Sequence, residues 1–228
     1  MTIKPKGILK NEYLKTGIAI ALVIALVLGS YFGLGLALGT ETPIRVVESG
    51  SMCTTFGGCD GFSDVFTQTL HIGDLIFIQK LNAEDYNANY PNSDIIVYEN
   101  PNLQSNVGNT PIVHRIVAKY QVNGTWYFQT KGDGNGVHWP ANVSSSQYDS
   151  NMLWNSGQGA PQDHILGKVI MRIPYFGWIT LLMRNTSWAL PVIVALIMIL
   201  VIAEFVIPAI KPKKKETTEE QKQTPSGV

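Results

Sequence analysis

Net charge is the first thing the sequence lacks: 17 Lys and Arg balance 17 Asp and Glu over 228 residues. The total therefore gives no basic nucleic-acid footprint and no acidic binding surface, and no nucleic-acid partner is expected. Charge is also missing locally. From Thr16 to Gly39 there is no Asp, Glu, Lys, Arg or His, and Ala, Leu, Ile and Val dominate. At about 1.5 Å per helical residue this run crosses a hydrocarbon core of roughly 30 Å, so it reads as a transmembrane helix over residues 16–40. Its apolar stretch exceeds the roughly 7–15 residues of a cleaved signal sequence, and no small-residue cleavage site followed by a polar stretch is evident, so a retained anchor is expected.

A second apolar run, Trp188 to Ile210, is broken only by Pro191, Glu204 and Pro208. Glu204 falls roughly 24 Å along such a helix, near the far headgroups, so residues 188–210 still read as a span. Lys4, Lys6, Lys10 and Lys15 precede the first span, against one Glu12, and Lys211, Lys213, Lys214 and Lys215 follow the second. Basic outer flanks put residues 1–15 and the tail 211–228 in the cytoplasm, with residues 41–187 outside. That middle segment holds eight basic against twelve acidic residues, in accord with this topology. The sequons at Asn123, Asn142 and Asn185 are candidate glycosylation sites on the same side. Cys53 and Cys59, also outside, are separated by a stretch containing Gly57 and Gly58, which would let a short loop turn back and a disulfide form. Two unpaired small residues are the plainer alternative.

No internal repeat is evident, and the outer segment lacks a sustained helical stripe. Its apolar residues come instead in short β-rich runs: Ile44 to Val47, Leu75 to Gln79, Ile95 to Tyr98, Ile112 to Val122, Trp126 to Thr130 and Ile165 to Ile173. Gly, Asn, Pro and Asp punctuate them, and residues 81–94, 99–110 and 134–164 read as loops. The fold class expected is a mainly β ectodomain held by two transmembrane helices, one at each end. Val122-Asn123-Gly124-Thr125 is a hairpin turn signal. An unbroken ladder from it pairs Tyr120 with Tyr127, Ala118 with Gln129, Ile116 with Lys131 and His114 with Asp133. Opposed residues have Cβ atoms about 4.5–5.5 Å apart, so this register would hand His114 a carboxylate. A lone strand His is ordinarily a core residue and Asp133 alone a turn former; the pairing is what makes them candidates.

A serine is a weak nucleophile unless a base takes its proton. In order along the chain stand Ser49-Gly50-Ser51-Met52, His71-Ile72-Gly73-Asp74-Leu75, His114-Arg115-Ile116, Lys131-Gly132-Asp133 and Ile165-Leu166-Gly167-Lys168-Val169. Five blocks in this order, after an N-terminal anchor, resemble type I signal peptidases over residues 46–170. The likeness is to the archaeal and endoplasmic-reticulum branch, where His stands in the place of a bacterial Lys. The resemblance implies a signal-peptidase-like β fold and a membrane serine endopeptidase that removes signal peptides from preproteins at the outer membrane face. By it Ser51 is the nucleophile, His114 the general base and Asp133 its support. The Ser51 amide and the Ser49 hydroxyl would form the oxyanion hole. Preproteins, the bilayer and secretion machinery are the partners it implies, with no cofactor and no metal.

The sequence departs from that pattern in carrying Thr54 where the family has Pro, in its cysteine pair, and in a second span that many members lack. More consequentially, no acid closely follows the Gly-Asp: Asn135-Gly136-Val137-His138-Trp139 comes instead, and Asp149 and Asp163 are the alternative third acids. Lys131 is an alternative base, placed by the same unbroken ladder on the His114 face. Outside this chemistry stand two other readings. One is a metal-binding surface protein using Cys53, Cys59, His71, His114, His138 and His164, whose spacings lack the tight pairs of structural zinc sites. The other is a non-catalytic scaffold.

Overall fold

The computed structural model describes residues 12–54, 69–100, 110–149, 157–186, 188, 191–192 and 194–200. A 27-residue helix, α1 (Glu12–Leu38), opens the described chain. Its stretch Thr16–Leu38 is long and apolar enough to cross a membrane, with a mean hydropathy of 2.3 and none of it buried against protein. The described helix already includes Glu12, ahead of the apolar run itself. It ends where the Thr40 amide turns back to the Gly35 carbonyl at 3.1 Å.

Among the described residues seven strands follow: β1 (Ile44–Val46), β2 (Leu75–Gln79), β3 (Ile95–Tyr98), β4 (Ile112–Val122), β5 (Thr125–Lys131), β6 (Ala160–Pro161) and β7 (Ile165–Ile173). They form one antiparallel sheet in the order β1-β2-β7-β3-β4-β5-β6. Six of the seven match the β-rich runs of the sequence. The seventh, β6, is a two-residue bridge inside the long 134–164 stretch, too short to carry an alternation of its own. The chain divides into two compact units after Leu181, and α2 (Gly177–Asn185) is a further helix in a stretch that no long helical stripe announces.

The sheet buries apolar side chains on both faces. Val47, Met52, Leu70, Ile76, Ile78, Ile95 and Val97 form one cluster. Tyr86, Ile96, Tyr98, Ile116, Phe128, Ala160 and Ile165 form the other. Central β3 supplies alternate residues to both, which is why Ile95-Ile96-Val97-Tyr98 is continuously apolar. Fully burying such a side chain stabilises a fold by about 1.5–3 kcal/mol, so these clusters hold rigid the strands that carry the site.

The β4–β5 hairpin starts as its turn signal implies. Asn123 and Gly124 take φ of 49° and 85°, the left-handed backbone that a two-residue hairpin loop needs. Val122 opposes Thr125, Tyr120 opposes Tyr127 and Ala118 opposes Gln129. There the unbroken ladder ends. A bulge at Val117 shifts the pairing by one, so that Ile116 faces Thr130 and Arg115 faces Lys131.

Residues 191–192 and 194–200 are helical. The remainder of the expected second span to Ile210, the tail 211–228 and residues 1–11 lie outside the described residues, as does Cys59.

Candidate active site

Ser51 is the middle residue of a 3-10 turn, Gly50–Met52, closed by the Cys53 amide on the Gly50 carbonyl at 2.9 Å. Met52, 1% exposed, plugs the turn into the core. Cys53 is buried and disulfide-bonded. With both following residues anchored inside, the half-buried Ser51 points its hydroxyl at β4. Its Oγ lies 2.9 Å from His114 Nε2, and the exposed Ser49 Oγ lies 3.3 Å behind it.

His114 is 6% exposed. Its Nδ1 lies 2.6 Å from Asp149 Oδ2. A carboxylate at Nδ1 and a hydroxyl at Nε2 assign the ring proton to Nδ1, which leaves Nε2 free to accept the serine proton.

Asp133, expected opposite His114, is elsewhere. Its carboxylate accepts two hydrogen bonds from Arg115, Nε to Oδ1 and Nη2 to Oδ2, each 2.8 Å. The Val117 bulge is the physical cause, because side chains alternate along a strand and a one-residue slip exchanges the faces. Past the bulge Thr130 joins the His114 face, while Lys131 and Asp133 join the Arg115 face. Burial pushes the Asp133 carboxyl above its ordinary value, with the Arg115 guanidinium pulling the other way. Arg115 also donates to the Ser93 carbonyl at 2.9 Å and lies 4.9 Å over the Trp139 ring.

The same slip removes Lys131 from the His114 face. Its ammonium donates to the Gly132 and Val137 carbonyls at 2.9 and 2.6 Å. Burial lowers its pKa while Asp133 and Asp149 oppose the shift. Asp163 is exposed and lines a cavity of about 290 Å³ with Lys80, away from His114.

The segment after β5 packs directly on the nucleophile turn. The Gly134 amide donates to the Ser51 carbonyl at 2.8 Å, and the Asp133 amide approaches Met52 Sδ at 3.5 Å. At Gly132 a Cβ would stand 2.5 Å from the Ser51 carbonyl oxygen and 2.9 Å from His114 Nε2, so only glycine fits. The chain then makes a loop whose Trp139 indole donates to the Pro91 carbonyl at 2.8 Å. It returns at Asp149, whose amide donates to the Thr130 carbonyl at 2.8 Å.

Of the remaining sequence candidates, Asn123 and Asn142 are exposed, and Asn185 ends α2. Among the described residues no three His, Cys, Asp or Glu side chains converge on a point able to hold a metal ion. His71 belongs to a different structure: Asp74 Oδ2 accepts its backbone amide at 2.9 Å and Arg172 Nη1 at 3.0 Å. Sequence reasoning passed over Arg115 and Thr130, each beside a residue that it did single out. Allowing one bulge in the ladder would have found both.

A hydroxyl, an imidazole and a carboxylate in one hydrogen-bonded line form the arrangement that activates a serine in hydrolases. No family model matches the chain. The signal peptidase complex catalytic subunit SEC11 of Schizophyllum commune is 30% identical over 181 residues, covering 72% of this chain and 77% of its own. SEC11C of Homo sapiens is 28% identical over 167 residues, 72% of this chain and 69% of that protein. The sec11 subunit of Sclerotinia sclerotiorum is 27% identical over 185 residues, 81% and 88% of the two chains. The chain belongs to this family, the signal peptidases of the endoplasmic-reticulum and archaeal type, and is a serine endopeptidase.

Proposed function

We propose that the protein removes signal peptides from preproteins at the outer membrane face, with Ser51 as nucleophile, His114 as general base and Asp149 as the acid that orients His114. The observation that carries this reading is the continuous contact from Ser51 Oγ to His114 Nε2 (2.9 Å) and from His114 Nδ1 to Asp149 (2.6 Å). As Ser51 Oγ bonds to the scissile carbonyl carbon, its proton passes to Nε2. The imidazolium formed is stabilised by Asp149. When the peptide C–N bond breaks, Nε2 returns that proton to the leaving amine. A water then repeats the sequence on the Ser51 ester and frees the enzyme. The Ser51 amide and the Ser49 hydroxyl are the proposed donors to the oxyanion.

Among the described residues strand β1 ends the sheet order, and Ile112 to His114 have no β5 partner. Both leave backbone groups for an extended substrate, read by alternate side-chain pockets. Ser51 follows the end of α1 by about a dozen residues, at most roughly 40 Å of chain, which suits a bond emerging from the bilayer. The finer topology belongs to the same proposal: cytoplasmic residues 1–15, a span at 16–40, an outer catalytic domain at 41–187, a second span at 188–210 and a cytoplasmic basic tail at 211–228. Its relatives are named as subunits of a signal peptidase complex, and association with secretion machinery is the corresponding expectation here.

The test is cleavage of a preprotein by the detergent-solubilised full chain. Wild type is expected to release the mature protein and Ser51→Ala to release none; equal cleavage by both would overturn the reading.

A further inference from the structure

Behind the proposed catalytic acid the polar contacts continue into the core. Thr130 Oγ1 donates to Asp149 Oδ2 at 3.2 Å. Tyr98 OH lies 2.9 Å from Thr130 Oγ1. Tyr98 is fully buried and Thr130 is 3% exposed, so neither hydroxyl exchanges its partner for water. Counting protons gives the chain one direction. Asp149 Oδ2 accepts from His114 and from Thr130. The single Thr130 hydroxyl proton is committed to the carboxylate, so the Tyr98 phenol must donate to the Thr130 oxygen. Burial raises the Tyr98 pKa, which keeps the phenol protonated and able to donate.

The three elements involved are neighbours in the sheet. Tyr98 on β3 opposes Ile112, and Thr130 on β5 opposes Ile116, so both lie on the face of β4 that carries His114. Thr130 therefore grips Asp149 twice, by its hydroxyl and by its carbonyl on the Asp149 amide at 2.8 Å. Asp149 arrives at the end of a loop, and this grip ties its carboxylate to a strand. Lys131 acts electrostatically on Asp149, and Asp133 acts on His114.

We infer that Tyr98 and Thr130 are positioning residues for peptide-bond cleavage: a buried two-hydroxyl relay that fixes the Asp149 carboxylate and shares its negative charge, so that His114 is held at the right angle to Ser51. This rests on the Ser51–His114–Asp149 assignment and extends it by two residues. Removing the Thr130 hydroxyl withdraws a hydrogen bond from the carboxylate and concentrates its charge on the imidazole. The ring then protonates more readily.

The experiment follows preprotein cleavage by the full-length protein in detergent across pH, for Thr130→Val, Thr130→Ser and Tyr98→Phe. Thr130→Val is expected to lower kcat roughly fivefold to tenfold with KM little changed, and to move the acidic limb of the kcat/KM profile up by about half a pH unit. Thr130→Ser restores both values, and Tyr98→Phe gives a smaller change in the same direction. Wild-type kcat and acidic limb in Thr130→Val would overturn the inference, as would a loss of kcat with an unmoved limb that serine does not rescue. If Thr130→Val does not fold, the limb of Tyr98→Phe decides: shifted supports the relay, unshifted overturns it. Ser51→Ala and Asp149→Asn run alongside. Wild-type cleavage by either sinks the catalytic assignment itself, whereas their inactivity with an unmoved Thr130→Val profile sinks the relay alone.

Discussion

The two ends of the β4–β5 hairpin obey different registers. From the Asn123-Gly124 turn to the Ala118–Gln129 pair, the ladder runs as an unbroken alternation dictates. Beyond Val117, at the end nearest Ser51, each side chain of β5 has changed faces relative to that alternation. The turn half carries no site residue: between Ala118 and Gln129 only Phe128 is buried, and most other side chains on either face are half-buried. The site half must present two chemistries at once: an imidazole with a hydrogen-bonding hydroxyl on one face, and a buried ion pair on the other. One inserted residue separates these tasks, and bulges serve this re-aiming of side chains near sites. A local backbone irregularity thus decides which carboxylate meets the histidine.

The strongest test of this contrast exchanges the carboxylates. Asp149→Asn is expected to cut kcat roughly 10⁴-fold while leaving the fold intact, because it removes the group that selects the ring tautomer. Asp133→Asn should retain activity per folded molecule but lose about 3–5 kcal/mol of stability, since Arg115 is left charged in the interior. Paired cleavage assays and denaturant titrations read the two out; catalytic loss on Asp133→Asn without destabilisation would reverse the assignment of faces.

Gly132→Ala probes where the halves meet. Its methyl carbon would sit 2.9 Å from His114 Nε2 and 2.5 Å from the Ser51 carbonyl, pushing the pair apart. A loss of roughly 100-fold in kcat is expected, as for a displacement of about 1 Å. Single-turnover kinetics check it.

The smallest effect belongs to Lys131→Ala, which should leave kcat within a few-fold of wild type and cost about 1–3 kcal/mol by stripping donors from the Gly132 and Val137 carbonyls. A kcat collapse would instead mark Lys131 as the base. Its pH signature has a definite sign. The folded-state pKa is lowered below the ordinary 10.5, so between the two values the unfolded chain binds the extra proton and wild-type stability rises with pH. The variant should lose that rise in alkaline thermal melts.

Much of the fold was legible because its signals are local. Ile44, Leu75, Ile95, Ile112 and Ile165 each open a β-rich run where a strand begins, and Asn123-Gly124 specifies its turn by backbone chemistry alone. The Ser51, His114 and Lys131-Gly132-Asp133 blocks were legible as a family pattern, and the structure brings all three together. What could not be read were events set by tertiary packing. Val117 has the side chain of any strand residue, so nothing marks it as the bulge. Asp149 comes back to Thr130 after a loop whose ends are joined only in space, with Trp139 on the Pro91 carbonyl and Arg115 under its ring. Strand β6 is two residues long and exists only because β5 is there to pair with it.

Ser51 and His114 sit on elements packed into the sheet, whereas Asp149 is delivered by residues 134–148. That loop is held at separated points: the Trp139 indole donates to the Pro91 carbonyl, the Tyr90 hydroxyl to the Ala141 carbonyl and the Asp149 amide to the Thr130 carbonyl. Two lie on the segment before β3 and one on β5, so the carboxylate beside His114 is fixed by chain segments far apart in sequence.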